Sequence, residues 1–241
     1  SHEAYDGSTT AHNFHPIHRS STPPARLLTH HALPLGDRVL VMLTQSPVCA
    51  FSHLACFKSG IVSCLASVLF GPDAIKHRLL ATDAKVCITN SANLAKVQEV
   101  EAQCPSLLQV IVVDEESPTK AMPLWSSLKG QAETFQNVRT HSEETAWISF
   151  TSGTTGQPKG VLMPHRILLG NKPLFEYYYD YGPRPGDALW SPADWAWIAG
   201  LINILLIGWY SGCKVVSTDM KGFNAQEAFR ILGDHKITVS L

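Results

Sequence analysis

The sequence contains few charged residues and no run of basic ones. Of its 241 residues, 16% are charged, and the formal net charge is -1. Proteins that bind nucleic acids concentrate Lys and Arg on one face or along one segment. This composition therefore argues against a dedicated nucleic-acid surface. The 45% hydrophobic content is typical of a globular chain with enough residues for a large core.

Paired cysteines are also missing, because none of the six cysteines belongs to a C-x-x-C motif. Zinc sites and dithiol redox sites usually contain such pairs. Each cysteine lies singly within an apolar run, which indicates a small, buried hydrophobic residue in a reducing compartment. We therefore expect an intracellular protein, of the cytoplasm or the mitochondrial matrix. The six residues are Cys49, Cys56, Cys64, Cys87, Cys104 and Cys213.

Residues 1–26 lack the apolar core that a signal peptide requires. Their Ser, Thr, His and Pro content predicts a poorly ordered arm, which we extend to residues 1–35. Four histidines in this arm, His2, His12, His15 and His18, offer a metal site as an alternative. No cysteine accompanies them, so we expect a solvated tail and no metal.

One uncharged run, residues 195–213, approaches the roughly 20 residues that a membrane-spanning helix needs. Glycines at 200, 208 and 212 and the polar Asn203 interrupt it, and no basic cluster flanks it. The run also lies between two segments that resemble strands. We therefore predict a buried helix and no integral membrane anchor.

From residue 37 onward, apolar runs of strand length alternate with longer helical patterns. "RVLVMLT" predicts a strand, and Ser46 with Pro47 supplies a cap and a first-turn proline for a helix that should end at Gly60. The alternation continues through "IVSCLAS", "GPDAIKHRLLATDA", "KVCIT", "NLAKVQEVEAQC" and "LQVIVVD". This order predicts an α/β fold with doubly wound, mostly parallel sheets and flanking helices.

The periodicity stops between Asp114 and Thr145, which predicts a surface connection. It resumes with a strand at "AWISFTS", a strand at "GVLMP" and a helix from about His165 to Tyr179. The remaining predicted elements are, in order, "ALWS", the long apolar helix, "KVVST", "AQEAFRILGDH" and "ITVSL".

The segment "TSGTTGQPKG", residues 151–160, has the composition best suited to binding a ligand. Seven of its ten residues are Gly, Ser or Thr, and Lys159 is its one charge. Glycines let backbone N–H groups approach a ligand, hydroxyls add donors, and a lysine offsets phosphate charge. The segment therefore predicts a polyphosphate-binding loop. A flexible Ser/Gly turn between two strands is the structural alternative.

Two widespread nucleotide-binding motifs do not fit this loop. A P-loop has Ser or Thr after its lysine and then a helix, whereas Lys159 precedes Gly160 and "GVLM" predicts a strand. The dinucleotide motif G-x-G-x-x-G is absent here as well. Both of those nucleotide folds are disfavoured.

"TSGTTGQPKGV", followed by "HR", resembles the signature loop of the adenylate-forming family, which includes the AMP-forming acyl-CoA synthetases, luciferase and the peptide synthetases. Residues 36–79 resemble the family's N-terminal subdomain. "SPADWAWIAGL" resembles the segment beside the acyl pocket in acetyl- and medium-chain acyl-CoA synthetases. The resemblance covers residues 36–241 and implies part of an AMP-binding domain.

The resemblance implies a ligase that uses ATP to convert a carboxylic acid, expected to be a fatty acid, into an acyl-adenylate and then an acyl-CoA thioester. ATP, Mg²⁺ and coenzyme A are the implied cofactors and co-substrates. The resemblance assigns phosphate binding to Thr151, Ser152, Gly153, Thr154, Thr155, Gly156 and Lys159. The resemblance places Trp197, Ile198, Ala199 and Gly200 at the acyl pocket. Ordinary packing in the core is the alternative role for these residues. His165 matches a position that is commonly histidine in the family, and we assign it no catalytic role.

The resemblance also implies a domain organisation. Residues 36–145 correspond to a first βα subdomain, and residues 146–241 to the start of a second one that carries the phosphate loop. The family's ribose-binding motifs and its C-terminal lid domain, with a catalytic lysine, have no counterpart before Leu241. Two hypotheses follow: the chain is part of a longer acid–CoA ligase, or it is a catalytically inactive nucleotide-binding or interaction module. We expect residues 1–241 alone to show no acid-dependent pyrophosphate exchange.

Overall fold

The structure is a computed structural model that describes residues 1–3, 8–11, 21–25, 28, 33–114, 121–128, 135–152, 156–219 and 222–241. These residues form two compact units. The larger unit comprises Asn13–Leu43 and Val48–His165, and the smaller unit comprises Ser1–His12, Thr44–Pro47 and Arg166–Leu241.

The strands are mostly short, and the helices of the larger unit are the longest in the described chain. The strands are β1 (His2–Glu3), β2 (Thr9–Thr10), β3 (Arg38–Val41), β4 (Val62–Leu65), β5 (Val86–Thr89), β6 (Gln109–Val112), β7 (Met122–Pro123), β8 (Thr145–Thr151), β9 (Lys159–Pro164), β10 (Ala188–Trp190), β11 (Lys214–Val215), β12 (Ser217–Thr218) and β13 (Val239–Ser240). The α-helices are α1 (Pro47–Ser59), α2 (Pro72–Thr82), α3 (Ser91–Glu101), α4 (Leu124–Ser127), α5 (Ile167–Gly170), α6 (Lys172–Tyr178), α7 (Ile198–Gly200), α8 (Ile207–Tyr210) and α9 (Ala225–Asp234), with a π-helical stretch at Leu201–Leu206.

The larger unit is built on one seven-stranded sheet in the order β7-β6-β5-β3-β4-β8-β9. All neighbouring pairs are parallel except β8 and β9, which are antiparallel. The parallel strands read as nearly continuous apolar runs because both faces are covered. One face packs on α2 and α3 through Ile75, Leu79, Leu94 and Val97. On the other face, the ring of Phe57 in α1 lies 6.0 Å from that of Trp147 in β8. The predicted α/β fold is therefore confirmed.

Helix α1 begins and ends where the sequence predicts. Pro47 occupies its first position, where a missing N–H costs nothing, and Gly60 follows its last residue. Gly60 has φ +67, a conformation that residues other than glycine rarely adopt. A Cβ at Gly60 would also lie 2.8 Å from a methyl group of Leu35. Glycine at this position therefore ends the helix and leads the chain directly into β4.

The smaller unit contains two three-stranded sheets, β11-β10-β13 and β12-β1-β2. Strand β10 pairs in parallel with both β11 and β13. Trp190, Val216, Ala228 and Ile231 form a buried cluster between these strands and α9. Asn224 starts α9 by accepting a hydrogen bond from the backbone N–H of Glu227 at 3.1 Å.

The described part of the N-terminal arm differs from the predicted poorly ordered tail. His2 and Glu3 pair in parallel with Ser217 and Thr218 of β12. Glu3 is 5% exposed, and its carboxylate accepts hydrogen bonds from Arg230 and from His235, the latter at 2.6 Å. A contact between residues so far apart in the chain leaves no local pattern in the sequence. Three of the arm's four histidines, His12, His15 and His18, lie outside the described residues.

Three other features of the fold differ from the sequence predictions. Residues 114–145, predicted as a surface connection, contain β7, which pairs with β6, and α4. The single helix predicted from His165 to Tyr179 is divided into α5 and α6, and Pro173 lies in the first turn of the second. The boundary between units follows His165 rather than residue 145, because β8 pairs with β4 in the large sheet.

The uncharged run at residues 195–213 forms the helical segment from Ile198 to Tyr210. Leu201, Ile202, Ile204, Leu205, Leu206 and Ile207 are buried in it, as predicted for a core helix. Among the described residues, no helix combines the length and the hydrophobicity needed to cross a bilayer.

All six cysteines are free and buried, as predicted. Burial raises the pKa of the Cys64 and Cys87 thiols to about 12. Thiols with such pKa values remain protonated at neutral pH and are poor nucleophiles. Their role is to fill the core.

A buried histidine lies within this core. His53 in α1 is 2% exposed, and its Nδ1 is 2.7 Å from the hydroxyl of Ser63 in β4. Its Nε2 lies 3.7 Å from Sγ of Cys49. Burial lowers the pKa of His53 from 6.5 to about 4, because the charged imidazolium loses its hydration.

We predict that His53 makes the protein less stable as the pH falls from about 6.5 to about 4. In this range the unfolded chain binds a proton at His53 and the folded chain does not, so protonation favours unfolding by up to roughly 3 kcal/mol. His53→Asn should flatten the dependence of the unfolding free energy on pH, measured by urea denaturation. The exposed His141 provides the matched control, because His141→Asn removes a surface histidine and leaves the buried His53 in place. Equal pH dependence in wild type and His53→Asn would contradict this assignment.

Candidate functional site

The predicted phosphate loop connects two antiparallel strands of the large sheet. Residues 146–150 of β8 are buried, and the strand emerges at the exposed Thr151. Strand β9 begins at Lys159, which pairs directly with Thr151 in the ladder. Thr151 and Lys159 are therefore the last paired residues at the base of the loop. Of the predicted site residues, Gly153, Thr154 and Thr155 lie outside the described residues.

The pairing of β8 fixes where the loop lies on the sheet. Because β8 runs parallel to β4, its carboxyl end lies at the same edge as the carboxyl ends of β3, β4, β5 and β6. Ligand sites of open α/β sheets lie at this edge, where side chains and backbone groups are not committed to the sheet. The loop therefore occupies the position expected for a binding site.

The described loop residues Thr151, Ser152, Gly156 and Lys159 are all exposed. Gly156 has φ +107, a backbone conformation in which a side chain would be strained. Among the described residues, no atom lies within 4 Å of a Cβ built there. Lys159 has no ion-pair partner in the described part of the chain. Its ammonium group is thus available to an anion, and the neighbouring hydroxyls can act as donors.

Helix α2 supports both strands of this hairpin. His77 donates from Nε2 to the backbone carbonyl of Pro158 at 2.7 Å, and its ring packs edge-on against Phe150 at 5.9 Å. The next residue, Arg78, places its guanidinium 4.9 Å from the centre of the Phe150 ring and 3.8 Å from that of Phe70. These contacts have no signal in the sequence, because neighbouring residues of a predicted helix do not reveal a partner so far along the chain.

Arg78 is a buried cation held without a carboxylate among the described residues. It is 4% exposed and donates from Nη1 to the carbonyl of Ala74 at 2.9 Å, while its Nε has no hydrogen-bond partner among the described residues. Burial lowers the pKa of Arg78. The two aromatic rings stabilise it through their electron-rich faces.

The predicted acyl-pocket residues lie in the smaller unit, at the start of the apolar helix. Trp197 is 45% exposed and Ala199 is exposed, whereas Ile198 is half-buried and Gly200 is buried. The tryptophan of this segment that packs in the core is Trp195, which is 2% exposed. Trp197 is thus not a core residue here, which leaves it accessible to a ligand.

Two contacts fix the backbone ahead of this helix. Gln45 donates from Nε2 to the carbonyls of Ser191 at 2.9 Å and Ala193 at 2.7 Å. Gly200 lies so close to the preceding turn that a Cβ would be 2.5 Å from the carbonyl oxygen of Ala193 and 2.6 Å from that of Asp194. A π-helical stretch follows directly, a geometry that occurs frequently at functional sites.

His165 lies at the end of β9, in the larger unit. It lines an open cavity of about 420 Å³ together with Arg38, Glu144 and Leu162. Burial lowers the pKa of His165, and the nearby Glu144 carboxylate acts in the opposite direction. Because Arg38 and Val62 stand at the amino ends of β3 and β4, this cavity lies at the edge opposite to the phosphate loop. His165 is therefore not part of the loop site.

The whole chain, residues 1–241, matches the model of a family described as AMP-binding enzyme. It is 32% identical over 203 residues to acetyl-coenzyme A synthetase of Saccharophagus degradans, covering 76% of this chain and 31% of that protein. It is 28% identical over 230 residues to the mitochondrial acyl-coenzyme A synthetase ACSM2 of Rattus norvegicus, covering 95% of this chain and 40% of that protein. The chain thus spans well under half the length of these curated relatives.

Solved structures show the same fold over all of this chain. The acyl-CoA synthetase of Brucella canis superimposes with a TM-score of 0.88 at 23% identity, covering 44% of that chain. The anthranilate CoA ligase AuaEII, in complex with anthranoyl-AMP, superimposes with a TM-score of 0.90 at 20% identity, covering 46% of that chain.

We predict that Gly200→Ala lowers the free energy of unfolding by about 2 kcal/mol, because the new methyl group must displace the backbone at residues 193 and 194. Urea denaturation would measure this change. Gly233→Ala is the matched control, because Gly233 lies exposed in α9 and no atom of the described residues lies within 4 Å of a Cβ there. This change should be neutral or stabilise the protein by up to about 1 kcal/mol. A Gly200→Ala protein as stable as wild type would refute the close packing of this turn.

Proposed function

This chain belongs to the AMP-binding enzyme family, and we propose that it provides the phosphate-binding part of an enzyme that activates a carboxylic acid with ATP. In this reaction the acid becomes an acyl-adenylate and then a coenzyme A thioester. The names of the curated relatives support this proposal, since they are acetyl- and acyl-coenzyme A synthetases.

The main support for this proposal is the pairing of two exposed residues at the base of the loop. Thr151 and Lys159 face each other where β8 and β9 leave the sheet at its carboxyl edge, and both are exposed. A polyphosphate requires hydroxyl donors, a cation and glycine-rich backbone at one point, and Lys159 is a cation without an ion-pair partner among the described residues. We assign phosphate binding to Thr151, Ser152, Gly153, Thr154, Thr155, Gly156 and Lys159.

The chemistry explains why a site of this kind serves acid activation. A carboxylate oxygen attacks the α-phosphorus of ATP, and the bond from that phosphorus to the departing pyrophosphate breaks. Negative charge accumulates on the pyrophosphate, so donors and a lysine placed beforehand lower the barrier. The thiolate of coenzyme A then attacks the acyl carbon and displaces AMP.

The donor set is compatible with Mg²⁺ delivered by the nucleotide. The described residues contain no group of three His, Cys, Asp or Glu side chains that could hold a metal ion by themselves. Mg²⁺ is usually bound by phosphate oxygens, water and one or two protein oxygens. The hydroxyls of Thr151 and Ser152 fit this supporting role, and when bound the ion would neutralise phosphate charge.

We assign recognition of the acid to the segment Trp197, Ile198, Ala199 and Gly200. Trp197 offers a large exposed apolar face next to residues with small or branched side chains. Such surfaces bind the hydrocarbon part of a ligand. We propose a fatty acid as the substrate class.

A second candidate function, a nucleotide-binding module without turnover, is supported by the loop itself. Its hydroxyls, its glycine-rich backbone and Lys159 are sufficient to bind phosphate, and binding alone does not require catalysis. Pyrophosphate exchange that depends on an added acid, measured on the protein from its native source, would support the enzyme. Binding of pyrophosphate without exchange for acetate, medium-chain and aromatic acids would favour the binding module.

We predict that Lys159→Ala weakens binding of Mg²⁺-pyrophosphate at least about tenfold, because it removes the charge at the base of the loop. Isothermal titration calorimetry would measure the dissociation constant. Lys76→Ala is the matched control, since Lys76 contacts Gln103 on the exposed side of α2 and lies outside the assigned site. Equal affinity of Lys159→Ala and wild type would refute the assigned role of this lysine.

A further inference from the structure

Helix α2 contacts the two strands of the phosphate hairpin through adjacent residues. Arg78 lies over the ring of Phe150, the residue that precedes Thr151. His77 donates to the carbonyl of Pro158, the residue that precedes Lys159. Each contact therefore holds the chain one residue away from the pair at the base of the loop.

We propose that His77 is a positioning residue for phosphate binding, because it anchors Pro158 and thereby sets the direction in which Lys159 leaves the hairpin. This inference rests on the proposed function of the loop. It assigns to α2 a role that the loop sequence does not reveal.

The start of β9 has few other means of attachment. Strand β9 lies at the end of the sheet order, so only β8 pairs with it in the described sheet. Pro158 has no N–H group, and its carbonyl is the backbone polar group through which it can be held. The first residues of β9 are also weakly anchored by side chains, since Lys159, Gly160, Val161 and Leu162 are all exposed.

His77 is itself held in place from a second direction. Its ring packs edge-on against Phe150, and that ring is in turn covered by the Arg78 guanidinium. A carbonyl oxygen only accepts hydrogen bonds, so Nε2 of His77 carries the proton in this contact. The imidazole therefore links the two strands: it packs on β8 and bonds the residue before β9.

Gly160 lies close to β8, which explains why a contact from α2 is needed to hold the start of β9. A Cβ on Gly160 would lie 3.0 Å from Ile148 and 3.5 Å from Phe150. Glycine lets β9 approach β8 here, but it also removes a side chain that could fix the strand. Without the bond from His77, the chain before Lys159 would be free to lift away from α2.

The test compares three variants of the 241-residue protein with wild type. His77→Leu provides a side chain that can still pack on Phe150 but removes the hydrogen-bond donor. His77→Gln retains an N–H donor. Lys76→Ala is the control on the neighbouring residue of α2. Mg²⁺-pyrophosphate is the probe, with its dissociation constant measured by calorimetry, the melting temperature by calorimetric scanning, and the amide exchange of residues 156–164 by mass spectrometry.

We expect His77→Leu to weaken pyrophosphate binding about five- to tenfold, the equivalent of one lost hydrogen bond. Amide exchange at residues 156–164 should become faster. His77→Gln should bind within about threefold of wild type, because an amide donor can replace Nε2. Lys76→Ala should match wild type in every measurement.

Three results would overturn the inference. If wild type binds pyrophosphate and His77→Leu binds it equally well, His77 does not position the loop, although the proposed function stands. If both His77 variants lower affinity and melting temperature alike, the histidine is only a packing residue. Absence of pyrophosphate binding in wild type would refute the proposed function and, with it, this inference.

Discussion

The parallel pairing of β8 with β4 is the contact on which the site depends. Strand β4 ends at Leu65 and β8 begins at Thr145, so the chain passes through three further strands before returning to β4. Ser63 pairs with Trp147 and Cys64 with Ile148. This short ladder brings the loop to the carboxyl edge of the sheet. It also brings Phe150 against α2, which follows β4 directly in the chain.

The register of that pairing determines which side chains meet each helix. Ile148 and Phe150 belong to the cluster that contains α2 and α3, whereas Trp147 lies near Phe57 of α1. A shift of one residue would exchange these two sets of side chains. Phe150 would then leave Arg78, and the guanidinium would lose an aromatic partner in a buried position. Correct register and retention of the buried cation are thus coupled.

Much of the fold could be predicted from local signals, and the remainder depends on long-range pairing. Proline at 47 and glycine at 60 mark the two ends of α1 through their own backbone chemistry. The two-residue strands β1 and β7 have no such signal, because partners distant in the sequence stabilise them. The loop composition predicts a candidate site with Lys159, and that assignment stays a prediction. The contacts of His77 and Arg78 depend on β8 and β9 lying beside α2, which no local pattern indicates.

The absence of an acidic partner for Arg78 among the described residues has an electrostatic consequence at the loop. A carboxylate beside the guanidinium would cancel the positive potential that the guanidinium produces at the loop. The faces of Phe70 and Phe150 instead stabilise the cation without adding a negative charge. The positive potential next to β8 is therefore preserved rather than neutralised. Lys159 adds a second, exposed cation across the hairpin from Thr151. Both charges act in the same direction on an anion at this edge, and the buried one is screened least by salt.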